Sequence, residues 1–302
     1  MLAIIAPGQG AQTPGMLAPW IEDVDSKALL IQWSDAIGLD LIHLGVHADS
    51  DEIKDTANAQ PLIVAAGLLS ARALNISGKF SFVAGHSVGE ITAAAIAGVL
   101  TPLDAMKLVR IRGVEMAKAA AITPAGMSAV LGGDREVVLQ AIAAAGLVAA
   151  NDNGGGQIVA AGDLTALSTL APEGARVRAL AVAGAFHTSY MEPAVEPMRA
   201  LAATIEVNDS NIGVLSNKDG AVLNSGREIL DRIVNQIANP VRWDLCMQTL
   251  ADQGVTGAIE VAPAGTLVGL IKRAVPAIEQ CALKSPAEIE TALIFASTHG
   301  GK

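Results

Sequence analysis

Phe80-Ser81-Phe82-Val83-Ala84-Gly85-His86-Ser87-Val88-Gly89-Glu90-Ile91-Thr92-Ala93-Ala94-Ala95-Ile96-Ala97-Gly98 reads as an apolar strand, a tight turn and an alanine-rich helix. Apart from Ser81, the run from Phe80 to Ala84 is apolar or small, the pattern of a parallel strand covered on both faces. Gly85-His86-Ser87-Val88-Gly89 then has the G-x-S-x-G spacing of a nucleophile elbow, in the strand-turn-helix context such an elbow requires. Glycines two residues either side of the serine permit a turn in which side chains would collide. The turn lifts Ser87 above the carboxyl edge of a sheet, and the helix that opens at Val88 brings free N–H groups beside its hydroxyl. A plainer reading stands next to this one. Ser87-Val88-Gly89-Glu90 is also an S-x-x-E capping box, which alone accounts for a serine and a glutamate at a helix start.

Outward from this stretch the chain alternates strands and helices. A first strand, Leu2 to Ala6, ends in Pro7-Gly8-Gln9-Gly10, and helical patterns cover Ser26 to Ile37 and Ala57 to Leu74. Thr101-Pro102 opens a long helix over Leu103 to Ala120, with Thr101 as N-cap and Pro102 at the first position. After Thr123-Pro124-Ala125-Gly126 the pattern changes. Strand (Met127 to Leu131), helix (Arg135 to Ala145), strand (Leu147 to Ala150), strand (Gln157 to Ala161), helix (Leu164 to Leu170) and strand (Arg176 to Val182) follow in β-α-β-β-α-β order, the ferredoxin-like signature. The predicted fold class is α/β. An α/β-hydrolase-like core with a parallel sheet (residues 1–123 and 187–302) carries an inserted ferredoxin-like small subdomain (residues 124–186). Thr298 to Lys302 reads as a loose end.

Composition narrows the function. The chain is 51% hydrophobic but only 3% aromatic, so small aliphatic residues build the core, which suits closely stacked α/β layers. A formal charge of −10 argues against nucleic-acid binding, which needs a basic face. The N-terminal apolar run has no positive charge ahead of it and breaks at Pro7-Gly8, too early for a signal segment. No window approaches the ~20 unbroken apolar residues of a membrane span. Cys246 and Cys281 make neither a disulfide framework nor a metal site and read as buried thiols of a cytoplasmic protein.

A serine nucleophile needs a base. His43 and His47 lie in an early, solvent-facing segment, His299 is in the tail, and His86 adjoins the serine, where neighbours on an elbow point apart. His187 remains, in a loop one hundred positions beyond Ser87; its plain alternative is an ordinary loop histidine. Asp134, Asp152 and Asp163 fall in the insert, away from the edge of the main sheet. That favours a Ser–His dyad oriented by a backbone carbonyl over a full triad.

Six blocks, in order, carry a resemblance: Pro7-Gly8-Gln9-Gly10-Ala11-Gln12, Gly85-His86-Ser87-Val88-Gly89-Glu90, Arg112, Ala185-Phe186-His187, Asn239-Pro240-Val241-Arg242-Trp243 and Glu260-Val261-Ala262-Pro263. In these the chain resembles the malonyl-CoA:acyl-carrier-protein transacylases of fatty-acid synthesis, relatives of polyketide-synthase acyltransferase domains. The resemblance implies Ser87 as nucleophile, His187 as base, the N–H groups of Gln9 and Val88 as oxyanion hole, and the carbonyl of Gln236 orienting His187. It implies that Arg112 binds the free carboxylate of malonyl, with Met116 lining the pocket. Phe186 would exclude an α-methyl group, and Asn151, Asn153 and Gln157 would face the coenzyme A entrance. Periodicity alone does not separate Arg112 from Arg110; the resemblance picks Arg112. Ala11 stands where serine is common, and Val88 where leucine is usual.

The implied reaction is a double displacement that needs no metal or redox cofactor: malonyl-CoA as substrate, a malonyl ester on Ser87, and the pantetheine thiol of acyl carrier protein as acceptor. Lys118, Lys272 and Arg273 are candidates for docking an acidic carrier protein. Related readings keep the chemistry and change the acceptor, as in a stand-alone polyketide-synthase acyltransferase or a malonate decarboxylase subunit. A serine thioesterase or other hydrolase is a further class, against which a charge in the acyl pocket argues. A non-catalytic binding protein is a third, against which the presence of both Ser87 and His187 argues.

Overall fold

A computed structural model describes residues 1–300. In chain order the elements are β1 (Leu2–Ala6), α1 (Val24–Ile37), α2 (Thr56–Leu74), β2 (Phe82–Gly85), α3 (Gly89–Ile96), α4 (Pro102–Ile122), β3 (Gly126–Gly132), α5 (Arg135–Ala144), β4 (Val148–Asp152), β5 (Gln157–Gly162), α6 (Leu164–Thr169), β6 (Ala175–Ala179), α7 (Glu192–Ala202), β7 (Gly213–Leu215), β8 (Val222–Leu223), α8 (Gly226–Gln236), β9 (Val241–Arg242), α9 (Trp243–Asp252), β10 (Gly257–Glu260), α10 (Leu267–Ala274), β11 (Glu279–Ala282) and α11 (Ile289–His299).

They form a six-stranded sheet in the order β11-β10-β1-β2-β7-β8 and a five-stranded sheet in the order β6-β3-β5-β4-β9. In the first sheet every pairing is parallel except β7 with β8. Strand β1 sits inside it, which explains its unbroken apolar run. Leu2, Ile4 and Ala6 project into one core with residues of α1 to α4, whereas Ala3 and Ile5 project to the opposite face, against residues of α9 and α10. Period-two alternation thus divides one strand between two cores. Helix α2 is buried almost along its whole length and lies against α4. The caps are those expected of the sequence: Thr101 accepts from the Asp104 N–H at the start of α4, with Pro102 in the first turn.

The second sheet has its own small core, built on Val130, Val138, Ile142, Ile158 and Leu167. Its strands follow the expected β-α-β-β-α-β order, and its edge on the other side is β9. There Val241 and Arg242 pair parallel with Asn151 and Asp152. A segment from residue 241 therefore completes a sheet whose other strands come from residues 126–179, so the two parts share a strand rather than a linker.

Two local expectations differ from the structure. The capping box at Ser87 does not form. The Ser87 N–H donates to Asn217 Oδ1, and the Glu90 carboxylate turns away to the Asn217 N–H. The C-terminal loose end begins later than expected: α11 continues through His299, whose Nδ1 lies 3.0 Å from the Thr256 hydroxyl. Gly301 and Lys302 lie outside the described residues.

Candidate active site

The turn between β2 and α3 explains why glycine flanks the serine. A Cβ on Gly85 would lie 1.9 Å from the Gly89 carbonyl carbon, and one on Gly89 would lie 2.2 Å from the Ala6 oxygen. With both side chains absent, the helix presses onto the strand ends and Ser87 takes φ +54°. His187 has φ +61°. Among the described residues only Asn75, the C-cap of α2, is a third non-glycine residue with positive φ. Such backbone costs of order 1–3 kcal/mol per residue and gathers at functional sites.

The two strained residues meet. Ser87 Oγ lies 2.7 Å from His187 Nε2, and His187 Nδ1 lies 2.9 Å from the Gln236 carbonyl oxygen. A carbonyl only accepts, so Nδ1 carries the proton and Nε2 is left to accept from the serine hydroxyl. Burial, helped by the nearby charge of Arg112, lowers the His187 pKa to about 3, so the ring is neutral at physiological pH. His86 points the other way: its Nε2 is 2.8 Å from Asn153 Oδ1 and its ring meets Trp243 edge-on.

Arg112, only 1% exposed, enters the same site from α4. Its Nη2 donates to Ser87 Oγ at 3.3 Å and to Gln236 Oε1 at 2.9 Å, and Nη1 donates to Gln60 Oε1 at 2.7 Å. Its Nε is buried without a partner among the described residues. Desolvation lowers its pKa to about 10 against the opposing pull of Glu90, which leaves it charged at neutral pH. Arg110, two residues back, turns instead to the Ala57 carbonyl. Met116, one turn beyond Arg112, is buried with its sulfur 3.5 Å from Gln60 Nε2.

Ser87 and His187 open onto a cleft of about 260 Å³ between the two sheets. Gln9, Phe186, Asn151, Asn153 and Gln157 line it, together with Leu267 and Leu270 of α10. Among the described residues the N–H groups of Gln9 and Val88 have no protein acceptor. The structure thus gathers the expected residues at one place, with Asn153 engaged by His86. It adds three that sequence reasoning missed or misassigned: Gln60, which holds the guanidinium, Asn217, which receives the Ser87 N–H, and Glu90, which anchors Asn217. Chemically, a neutral imidazole accepting from a hydroxyl beneath free amides suits acyl transfer through an ester. A buried, charged fork beside that hydroxyl suits an acyl group that ends in a carboxylate.

Lys272 and Arg273 stand in the last turn of α10, the helix whose first turns line the cleft, whereas Lys118 pairs with Glu115 toward the end of α4. No helix among the described residues is long and apolar enough to cross a membrane.

Comparison with known proteins agrees with this geometry. The acyl transferase domain family matches residues 4–293. A malonyl CoA-acyl carrier protein transacylase of Mycobacterium tuberculosis is 52% identical over 297 residues, covering 96% of this chain and 98% of the relative. The crystal structure of MCAT from Mycobacterium tuberculosis superposes with a TM-score of 0.94 at 51% identity, covering 97% of this chain and 99% of that one. A structure of a type II PKS acyl-carrier protein in complex with its malonyl-transacylase matches with a TM-score of 0.89 at 31% identity, over 97% and 99% of the two chains. The chain belongs to the acyl transferase domain family and, within it, to the malonyl CoA-acyl carrier protein transacylases.

Proposed function

We propose that this protein carries a malonyl group from coenzyme A to the pantetheine thiol of an acyl carrier protein through a malonyl ester on Ser87, supplying fatty-acid synthesis. The observation that carries the reading is the buried guanidinium of Arg112 within 3.3 Å of the Ser87 hydroxyl. A site for plain acyl chains has no use for a desolvated charge there. A malonyl carboxylate is the natural partner of a planar fork.

In the first half-reaction His187 Nε2 takes the Ser87 proton as Oγ attacks the thioester carbon. The resulting oxyanion lies between the Gln9 and Val88 amides, each such donor being worth about 2.7–4 kcal/mol in comparable sites. The carbon–sulfur bond breaks, and His187 returns the proton to the departing coenzyme A thiol. The carrier's pantetheine thiol then enters the same cleft and the steps reverse, with no cofactor beyond the two thioesters. Gln236 keeps the imidazole in the required tautomer through its carbonyl. Met116 and Phe186 bound the acyl pocket, and Asn151, Asn153 and Gln157 face the coenzyme A entrance. The β-α-β-β-α-β unit at residues 124–186 is read as a ferredoxin-like subdomain roofing an α/β-hydrolase-like core, and the enzyme as cytoplasmic.

Mass spectrometry after mixing with malonyl-CoA, before carrier protein is added, tests this. One malonyl group is expected on the Ser87 peptide and none in Ser87→Ala. An unlabelled wild-type enzyme that still transfers malonyl would remove the covalent step.

A further inference from the structure

The proposed chemistry leaves one buried acid without a task. Glu90 is 4% exposed, lies in the first turn of α3 and touches neither the cleft nor the reacting atoms. Both of its carboxylate oxygens nevertheless accept. Oε1 takes the Asn217 N–H at 2.6 Å, and Oε2 takes the side-chain amide of Gln236. Each of those partners grips the serine's peptide. Asn217 Oδ1 accepts from the Ser87 N–H at 2.8 Å, while its Nδ2 donates to the Gly85 carbonyl at 2.7 Å. Gln236 Nε2 lies 3.1 Å from the Ser87 carbonyl oxygen. The strained serine is therefore clasped at both its N–H and its C=O by side chains that converge on one carboxylate.

Gln236 extends the clasp to the rest of the site. Its amide oxygen accepts from Arg112 Nη2 and its main-chain carbonyl meets His187 Nδ1. The amide has only one favourable orientation. Turned over, it would set its NH2 against the guanidinium and its oxygen against Glu90. A carboxylate at one end and a cation at the other thus lock a residue that touches nucleophile, base and arginine together.

We propose that Glu90 is a positioning residue for the acylation of Ser87: in its ionised form it fixes Asn217 and the Gln236 amide, and through them the strained serine peptide and the Arg112 fork. The inference rests on the reading of Ser87 as nucleophile and His187 as base. Its pH dependence follows from the surroundings. Burial pushes the Glu90 carboxyl up to about 7, while the Asn217 N–H, Arg112 on α4, the Gln236 amide and Arg232 on α8 favour the charged form. On α9, Cys246 is held as a neutral thiol by burial and by the Glu90 charge. His187 stays neutral above about pH 3, and β1 and β2 bring only apolar or small residues. Burial lowers the pKa of His86 on the elbow as well, so a loss of acylation rate on acidification near neutrality is expected to come from Glu90.

The test measures the rate of Ser87 malonylation by rapid quench, per folded molecule, from about pH 5 to 9. The wild-type rate should climb through neutrality to a plateau. Glu90→Gln should lie about 10- to 100-fold below that plateau, the scale of one charge-assisted hydrogen bond, and lose the acid limb. Glu90→Asp should restore part of the rate and the limb. If Glu90→Gln does not fold, Asn217→Ser, which keeps the acid and cuts one arm, should be about tenfold slower with the limb intact. Either variant reacting at the wild-type rate, or Glu90→Gln keeping the wild-type pH profile, overturns the proposal. A wild-type enzyme that takes no label on Ser87 would instead sink the nucleophile on which it rests.

Discussion

Replacing Arg112 by alanine separates the two things this enzyme must do, activate a serine and select an acyl group. The guanidinium is buried away from bulk solvent and keeps its charge at neutral pH. Two charge-assisted hydrogen bonds to a malonyl carboxylate are worth roughly 1.5–3 kcal/mol each, hence about 3–6 kcal/mol together. At 1.4 kcal/mol per tenfold, that is about 10²- to 10⁴-fold in preference. The absolute rate alone would mislead. Arg112→Ala also leaves Gln60 Oε1 and Gln236 Oε1 without their donor and removes the cation that most favours the charged form of Glu90. Both substrates meet that same damaged site, so the damage cancels in a ratio.

The measurement is single-turnover labelling of Ser87 by malonyl-CoA and by acetyl-CoA, in wild type, Arg112→Ala and Arg112→Lys. The malonyl-to-acetyl ratio of kcat/KM should fall by about two to four orders of magnitude in the alanine variant. The lysine variant should fall between, since an ammonium keeps the charge without the fork. An unchanged ratio in Arg112→Ala, however slow the enzyme, would refute the carboxylate role.

Phe186→Ala should open the acyl pocket, raising methylmalonyl over malonyl transfer by about 10- to 200-fold, the span for one methyl group in an apolar pocket; competition between the two thioesters reads it. His187 should also leave a mark on stability. Its folded pKa of about 3 lies below that of the unfolded chain, so the unfolded state alone takes up the proton. Stability contributed this way is complete above about pH 6.5 and is lost as pH falls toward 3, by about 1.4 kcal/mol per unit. Denaturant titrations of His187→Asn should show a shallower acid slope between those limits. Charge reversal at Lys272 and Arg273 should raise KM for the carrier protein severalfold at low salt while leaving KM for malonyl-CoA unchanged, an effect that added salt should erase; reversal at Lys118 should do less.

Much of this site was legible because its requirements are local. The elbow needs glycine at 85 and 89 for a steric reason that two positions record by themselves, and the strand before it needs apolar residues because both its faces are covered. Periodicity was silent where two residues of one helix compete: Arg110 and Arg112 point to different faces, and only the packing of α4 on α2 decides which is buried. Gln60 and Asn217 left no local mark. Gln60 reaches Arg112 across 52 positions, and Asn217 reaches Glu90 across 127. Strand β9, only two residues long, is a strand because Asn151 and Asp152 lie alongside it. At Glu90 a sound local rule gave the wrong partner. A capping box needs the glutamate to turn back to the serine N–H, but Asn217 occupies that N–H and offers Glu90 a backbone donor of its own, so tertiary geometry displaced the box.

The same arrangement ties selection to activation. Arg112 sits at hydrogen-bond distance from the serine hydroxyl, and after burial its charge is the largest influence holding His187 low. In the free enzyme burial first, and the cation second, hold the base neutral but weak. On the proposed function, a malonyl carboxylate seated on the fork would cancel that field, and the imidazole would gain basicity as the thioester arrives. An acetyl group brings no anion and leaves the field in place. Discrimination on this reading has two sources, the hydrogen bonds to the carboxylate and the basicity its charge returns to His187. Removing Arg112 abolishes both while relieving the base, which is why acetyl transfer should suffer less than malonyl transfer rather than fall with it.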